Sequence, residues 1–268
     1  MYNKKYSLGR FLNLVDPSRK RIERDIQHSL SSNFEHIEIW LEVEGLSKST
    51  ISFICNKFKG YNIIVHAAFI NLSLVGHKKT RMASVDFLQN NYDLAQKIGA
   101  KLFTLHCGTC PFYQDDHTNR KLLFESILSL KIDAQLPCAL ENMPQKRGVA
   151  TPYPNNLAEL SYVISKLDNF VYTLDIGHAI QNGEDWKSWM LENYSKVYNI
   201  HLHDAIKNAS GHLCLGKGEL KIADLLEVLD NVEYDKYLTL EVLDENDIND
   251  SLRVLNKMLY KNVEKVKN

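Results

Sequence analysis

Residues 62–66 read NIIVH, residues 83–98 carry apolar side chains at helical spacing (Val85, Leu88, Tyr92, Ala95 and Ile98), Gly99 follows, and residues 101–106 read KLFTLH. A short β-branched run, an amphipathic helix, a glycine stop and a second apolar run make one β–α–β unit. Neither apolar run alternates with polar residues, so both strands are expected to be buried on both faces, as in a parallel sheet covered by helices. The alternation continues in both directions along the chain. Strands are expected at Tyr6–Leu8, His36–Trp40, Asn62–His66, Lys101–His106, Pro137–Glu141, Phe170–Asp175, Val197–His203 and Tyr237–Glu241. Helices are expected after Pro17, with Asp16 as N-cap, and at Leu46–Phe58, Ala83–Ile98, Lys121–Ile132, Asn156–Lys166, Asp185–Glu192, Ile222–Leu229 and Ile248–Val266. Eight such pairs, with no linker or low-complexity run between them, predict a single α/β domain over residues 1–268. They favour a (β/α)8 TIM barrel over a doubly wound sheet.

The bulk properties suit that reading. The chain has 268 residues, 44% hydrophobic and 24% charged, as an ordinary globular protein does. Lys and Arg number 32 against 33 Asp and Glu, a net charge of -1, which excludes adhesion to nucleic acid or membrane by overall charge. No apolar run approaches the length of a membrane span, and the N-terminal stretch lacks the apolar segment of a signal peptide. Five scattered cysteines fit reduced thiols in a cytoplasmic protein better than a disulfide framework.

His66, His106, Glu141, Asp175, His201 and Glu241 stand at or near the C-terminal ends of the third to eighth expected strands, separated by 40, 35, 34, 26 and 40 residues. In a parallel barrel those ends share one rim, where the active sites of such barrels lie. A lone histidine at a strand end usually makes a structural hydrogen bond; six metal-competent residues in phase with six strands point to a site. His178, in DIGH, and His212, in GHLCLGKG, are expected on adjoining loops. Imidazole with carboxylate suits a borderline divalent cation such as Zn²⁺ or Mn²⁺. Gly216-Lys217-Gly218 is either a phosphate-contacting loop, with Lys217 reaching substrate, or a tight turn. Cys107-Gly108-Thr109-Cys110 is read as a turn and His77–Arg81 as a solvated charge run leading a helix. His28, His36, His77 and His117 are taken as ordinary, whereas Trp40, Phe69, Tyr113 and Trp186 are placed to wall a pocket.

The order and spacing of IEIWLE (37–42), HAAFINLS (66–73), LHCG (105–108), LEN (140–142), LDIGHA (174–179), IHLHD (200–204), GHLCLGKGEL (211–220) and LEV (240–242) resemble the xylose isomerase-like TIM-barrel superfamily. That superfamily holds sugar and sugar-phosphate isomerases and epimerases together with endonuclease IV. The resemblance to its epimerases implies one divalent metal held by Glu141, Asp175, His201 and Glu241, with Glu141 and Glu241 also serving as acid and base and His178 holding a hydroxyl. The resemblance to endonuclease IV implies three zinc ions on His66, His106, Glu141, Asp175, His178, His201, His212 and Glu241. A further aspartate is expected there two residues before His212, where this sequence has Ser210.

Two enzymes are therefore expected as alternatives. One is a sugar or sugar-phosphate isomerase or epimerase with one to two Zn or Mn ions per chain. It would use Glu141, Glu241 and His178 in catalysis and Trp40, Phe69 and Lys217 against substrate. The other is a multi-zinc phosphoesterase acting on abasic DNA or a smaller phosphoester. The acidic segment Glu42-Val43-Glu44 and the missing carboxylate at Ser210 favour the first; the extra histidines favour the second. A catalytically inert binding barrel is the third reading, disfavoured by the intact ligand set.

Overall fold

The structure, a computed structural model, describes residues 6–13, 19–32, 34–145 and 149–266. The helix cap expected at Asp16 and Pro17 lies outside the described residues. The strands are β1 (Ser7–Asn13), β2 (His36–Leu41), β3 (Asn62–Ala67), β4 (Leu102–Leu105), β5 (Thr109–Pro111), β6 (Cys138–Glu141), β7 (Ala150–Pro152), β8 (Phe170–Asp175), β9 (Val197–Leu202) and β10 (Tyr237–Leu240). The helices are α1 (Arg19–Ser31), α2 (Lys48–Lys57), α3 (Lys78–Ile98), α4 (Asp116–Ile127), α5 (Leu157–Ile164), α6 (Ile176–Asn182), α7 (Trp186–Asn193), α8 (Ile222–Asn231) and α9 (Glu245–Val266). Strands β1, β2, β3, β4, β6, β8, β9 and β10 pair in parallel and close on themselves through β1 and β10. The fold is a (β/α)8 barrel, as the strand pattern predicts.

Two layers of burial follow from the alternation of side chains along each strand. Outward residues such as Ile37, Ile39, Val65, Phe103, Leu140 and Leu174 join the helices in the main apolar core. Inward, Ile64, Leu102 and Ala139 form a small separate apolar cluster. The barrel interior also carries hydrogen-bonded polar side chains where such barrels more often use bulky aliphatics. Thr104 and Thr173 bond to each other at 2.9 Å, and the Thr239 hydroxyl donates to Asn199 Oδ1 at 3.0 Å. These buried hydroxyl and amide groups are partnered, as burial requires.

The structure departs from the sequence reading in places that shape the rim. β1 runs to Asn13, beyond the expected Leu8, which brings Phe11 up to the barrel mouth. α3 starts at Lys78, so His77 is its N-cap and the basic run forms its first turn. α6 is an element the periodicity missed because it is only seven residues long. The CxxC segment is more than a turn: β5 pairs antiparallel with β7. Gly108 there has φ 83°, and a Cβ on it would lie 2.4 Å from the Leu72 carbonyl oxygen, so only glycine fits. Cys107 and Cys110 are buried free thiols, both pushed up in pKa by burial, which makes them unreactive. Among the described residues no helix is long and apolar enough to cross a membrane.

Gly9 in β1 leaves room for the His36 ring, which bonds Thr239 at 2.9 Å and Ser7 at 3.0 Å. A Cβ at Gly9 would come within 2.3 Å of that ring. Gly9→Ala is expected to destabilise the barrel by about 1–3 kcal/mol, the usual penalty of overpacking. Chemical denaturation checks this; an unchanged midpoint would contradict the assigned role of Gly9.

Candidate metal centre

The C-terminal rim brings His66, His106, Glu141, Asp175, His201 and Glu241 together. Glu141 ends β6 at 1% exposure. Its Oε2 lies 3.1 Å from His106 Nε2, 3.4 Å from His66 Nε2 and 3.3 Å from His201 Nδ1, while Oε1 lies 3.4 Å from His178 Nδ1. Glu241, just past β10, places Oε2 3.0 Å from the same His201 Nδ1. Asp175, the last residue of β8, caps α6 by accepting the His178 N–H at 2.6 Å. That turn lifts His178 off the loop where the sequence placed it and onto the first turn of a helix. Two overlapping ligand groups result: His66, His106 and Glu141, and Glu141, Asp175, His201 and Glu241.

Hydrogen bonds behind the site fix which ring nitrogen faces it. His66 Nδ1 donates to its neighbour's carbonyl, Ala67 O, at 2.9 Å, leaving Nε2 toward His106 and Glu141. His178 Nδ1 is 3.0 Å from the Asn142 carbonyl. Asn142 also clamps Asp175, accepting its N–H and donating to its carbonyl, both at 2.8 Å. Backing of this kind sets tautomer and orientation in metal sites. Within the site, two buried atoms are left with no hydrogen-bond partner although they approach each other: His201 Nδ1 and Glu241 Oε2. Unpartnered lone-pair atoms within a carboxylate–imidazole set match what a divalent cation needs.

The electrostatics agree. Burial alone would push the Glu141 carboxyl up, but the charges of His201 and His106 and hydrogen bonds from His106 and His178 hold it well below its ordinary value. Burial is likewise outweighed at Glu241, which His201 pulls down to about 2, and at Asp175, lowered by His178 and His203. For His201 burial opposes the charge, yet Glu38, Glu141 and Glu241 raise it well above the usual imidazole value. His66 and His178 are raised against burial, by Glu141 and by Asp175 with Glu141 respectively; at His106 burial prevails and lowers it.

Three residues that the sequence reading did not single out complete the arrangement. His203 sits with His178 and His212 in a third group of three imidazoles. Its Nε2 is 3.1 Å from each Asp175 oxygen, and its Nδ1 accepts the His212 N–H at 2.8 Å. Gly177 makes room for it, since a Cβ there would lie 1.9 Å from the His203 ring. Asn142 and Glu38 are the other two. A signal for His203 was available: residues two apart on a strand face the same way, so His203 follows His201 inward. His212 is half-exposed on its loop, with Nδ1 3.9 Å from Glu241.

Above these side chains opens a cavity of about 820 Å³ lined by Phe11, Trp40, Phe69, His106, Glu141, His178, His212 and Glu241. Trp40 and Phe69 stack with centroids 4.9 Å apart at 12°. Tyr113 is at the mouth, as expected from its position. Trp186 is not; it is buried in the main core. Lys217 is exposed and does not line the cavity. The loop it belongs to is a tight turn: Asp204 accepts the N–H groups of Gly216 at 2.8 Å and Leu220 at 2.9 Å, so they are taken up internally. Glu42 is also taken up, accepting from the Trp40 indole at 2.9 Å and from the Phe69 and Ile70 N–H groups at 3.2 Å. Its carboxylate holds the aromatic wall together, so it carries no argument about repelling a phosphate backbone. His77 lines the cavity as well.

A closed parallel barrel with its ionisable groups gathered at the C-terminal rim defines a TIM-barrel protein with a carboxylate–imidazole site. The chain belongs to the xylose isomerase-like TIM barrel family, which it matches over residues 26–258. It is 28% identical over 185 residues to an uncharacterized protein of Methanocaldococcus jannaschii, covering 66% of this chain and 69% of that one. It is 27% identical over 197 residues to a probable endonuclease 4 of Mesoplasma florum, covering 67% and 66%. The fold is also that of a D-tagatose 3-epimerase-like protein of known structure, at 24% identity and a TM-score of 0.81, covering 97% of this chain and 99% of that one.

Metal binding should displace the protons that His66 and His201 hold in the metal-free protein. Both values are raised above the ordinary imidazole value, so protons compete below them and affinity should climb as the pH rises through and beyond the ordinary imidazole range. Calorimetric titration in buffers of different ionisation enthalpy should report proton release on uptake of Zn²⁺ or Mn²⁺. A binding enthalpy independent of buffer would contradict this protonation scheme.

Proposed function

We propose that the chain is a divalent-metal-dependent isomerase or epimerase of a small sugar or sugar phosphate. The observation that carries the reading is that two ionised carboxylates, Glu141 and Glu241, both approach His201 Nδ1 and both line the same small-molecule-sized cavity. The ligand group of Glu141, Asp175, His201 and Glu241 would hold the ion, Zn²⁺ or Mn²⁺ by its donor chemistry. When bound, such an ion supplies Lewis acidity that makes a hydrogen beside a substrate carbonyl easier to remove. One glutamate takes that proton from carbon, leaving an enediolate, and the other returns a proton to the same or the adjacent carbon. His178, steadied by the Asn142 carbonyl, is assigned to a substrate hydroxyl. The flat Trp40–Phe69 pair suits the C–H face of a sugar. Lys217 has no part in this scheme. The free, mostly buried cysteines suit a reducing cytoplasm.

The second reading is a phosphoesterase like the probable endonuclease 4 relative. The observation favouring it is the His66, His106 and Glu141 group, which would let Glu141 bridge two ions. Against it, the third group consists of three imidazoles with exposed Ser210 nearby in sequence, and the carboxylate beside it, Asp175, already belongs to the second group.

Incubation with ketoses and their phosphates in deuterated water should place deuterium on the substrate carbon that loses its proton. Glu241→Gln should cut that exchange at least about a hundredfold, within the usual contribution of general acid–base catalysis. It should still bind metal, because an amide oxygen can coordinate. Cleavage of an abasic duplex with no carbon exchange on any sugar would install the second reading instead.

A further inference from the structure

Glu38 lies in the middle of β2, inside the barrel, and is fully buried. It is no member of any ligand group and does not line the cavity. Its Oε1 is 3.0 Å from His201 Nε2, across 163 residues of sequence, and its Oε2 accepts from Asn199 Nδ2 at 2.8 Å. Asn199 is itself held, since its Oδ1 accepts the Thr239 hydroxyl at 3.0 Å, and that hydroxyl meets His36 Nε2 at 2.9 Å. The carboxylate therefore sits in a frame made by β2, β9 and β10, with both oxygens engaged.

An ionised carboxylate can only accept, so the hydrogen in the Glu38–His201 contact belongs to Nε2. The opposite nitrogen, Nδ1, is the buried atom left without a hydrogen-bond partner between Glu141 and Glu241. We propose that Glu38 is the positioning residue of the metal site. It selects the Nε2–H tautomer of His201 and fixes the ring so that the Nδ1 lone pair faces the ion. The role parallels that of the Ala67 carbonyl behind His66, but here the partner is a charged side chain from a different strand. A carboxylate in that position also makes the imidazole a stronger donor.

The inference rests on the metal-site part of the proposed function and not on the reaction, so it is tested by binding rather than turnover. Zn²⁺ and Mn²⁺ affinities of the wild type, Glu38→Gln and Glu38→Leu are measured by competition with a chromophoric chelator, with circular dichroism confirming the fold. Loss of a partner behind a metal-bound histidine typically weakens binding about 10–100-fold. Glu38→Leu, which cannot accept, should lose that much. Glu38→Gln, whose amide oxygen still accepts, should lose only several-fold. In the Zn²⁺-loaded wild type, nitrogen NMR of His201 should show a protonated Nε2 and a metal-bound Nδ1, a signature that a purely structural role of Glu38 would not set. Should Glu38→Leu fail to fold, the near-isosteric Glu38→Gln decides the matter. Wild-type affinity in a folded variant, or a metal-bound Nε2, would overturn the proposal. A wild type that binds neither ion would overturn it together with the metal-site reading, whereas weakened binding in the variants with no carbon exchange on any sugar would leave it standing and remove only the reaction.

Discussion

The site depends on one buried carboxylate. Glu141 meets four imidazoles, those of His66, His106, His178 and His201, with almost no access to water. Burying an ion costs several kcal/mol unless it is paired, and bringing like-charged imidazoliums together adds repulsion of its own. Every other feature of the rim eases that strain: Asp175 and Glu241 add negative charge, Glu38 balances His201 from below, and backbone carbonyls turn the rings so that lone pairs face inward. Divalent cations in place of the imidazole protons would resolve the remaining repulsion, and this supports the proposed metal centre over an ion-pair network that only holds a core.

Much of this was legible in the sequence. Closed parallel topology follows from eight near-continuous apolar runs separated by helical periods, and such a barrel leaves only one place for residues at the strand ends. The positions of His66, His106, Glu141, Asp175, His201 and Glu241 follow from that without side-chain detail. What the sequence concealed was of two kinds. Glu38 is a polar residue inside β2 and His203 one just past the end of β9. Their role depends on which partner lies across the barrel, and strand spacing does not specify this, although HIEIWL and IHLH mark both as inward by their two-residue period. The α6 turn and the β5–β7 ribbon were hidden for another reason: seven- and three-residue elements are too short to display a period.

The loops show why motif fragments mislead when backbone partners are unknown. Gly216-Lys217-Gly218 has the composition of an anion-binding turn, yet Asp204 occupies two of the N–H groups around it. The backbone of the same residue pairs with that of Leu213, next to His212, so Asp204 also helps hold the segment that delivers His212 to the rim. Glu42, part of the acidic segment read as disfavouring a phosphate backbone, instead ties the Trp40 indole to the loop bearing Phe69. In both cases an acidic side chain satisfies backbone donors and so fixes a wall of the cavity. These are structural duties that leave the chemistry to the inward-facing strand ends.

Because Glu141 belongs to both ligand groups, the number of ions bound per chain is the most direct reading of the centre. Elemental analysis of the purified protein after saturation with Zn²⁺ or Mn²⁺ and desalting should find one to two ions per chain for the wild type. The Glu141→Ala variant, folded but deprived of the shared carboxylate, should retain neither group's ion at full occupancy. A wild type without bound divalent metal, or a Glu141→Ala protein that keeps the wild-type complement, would contradict the account.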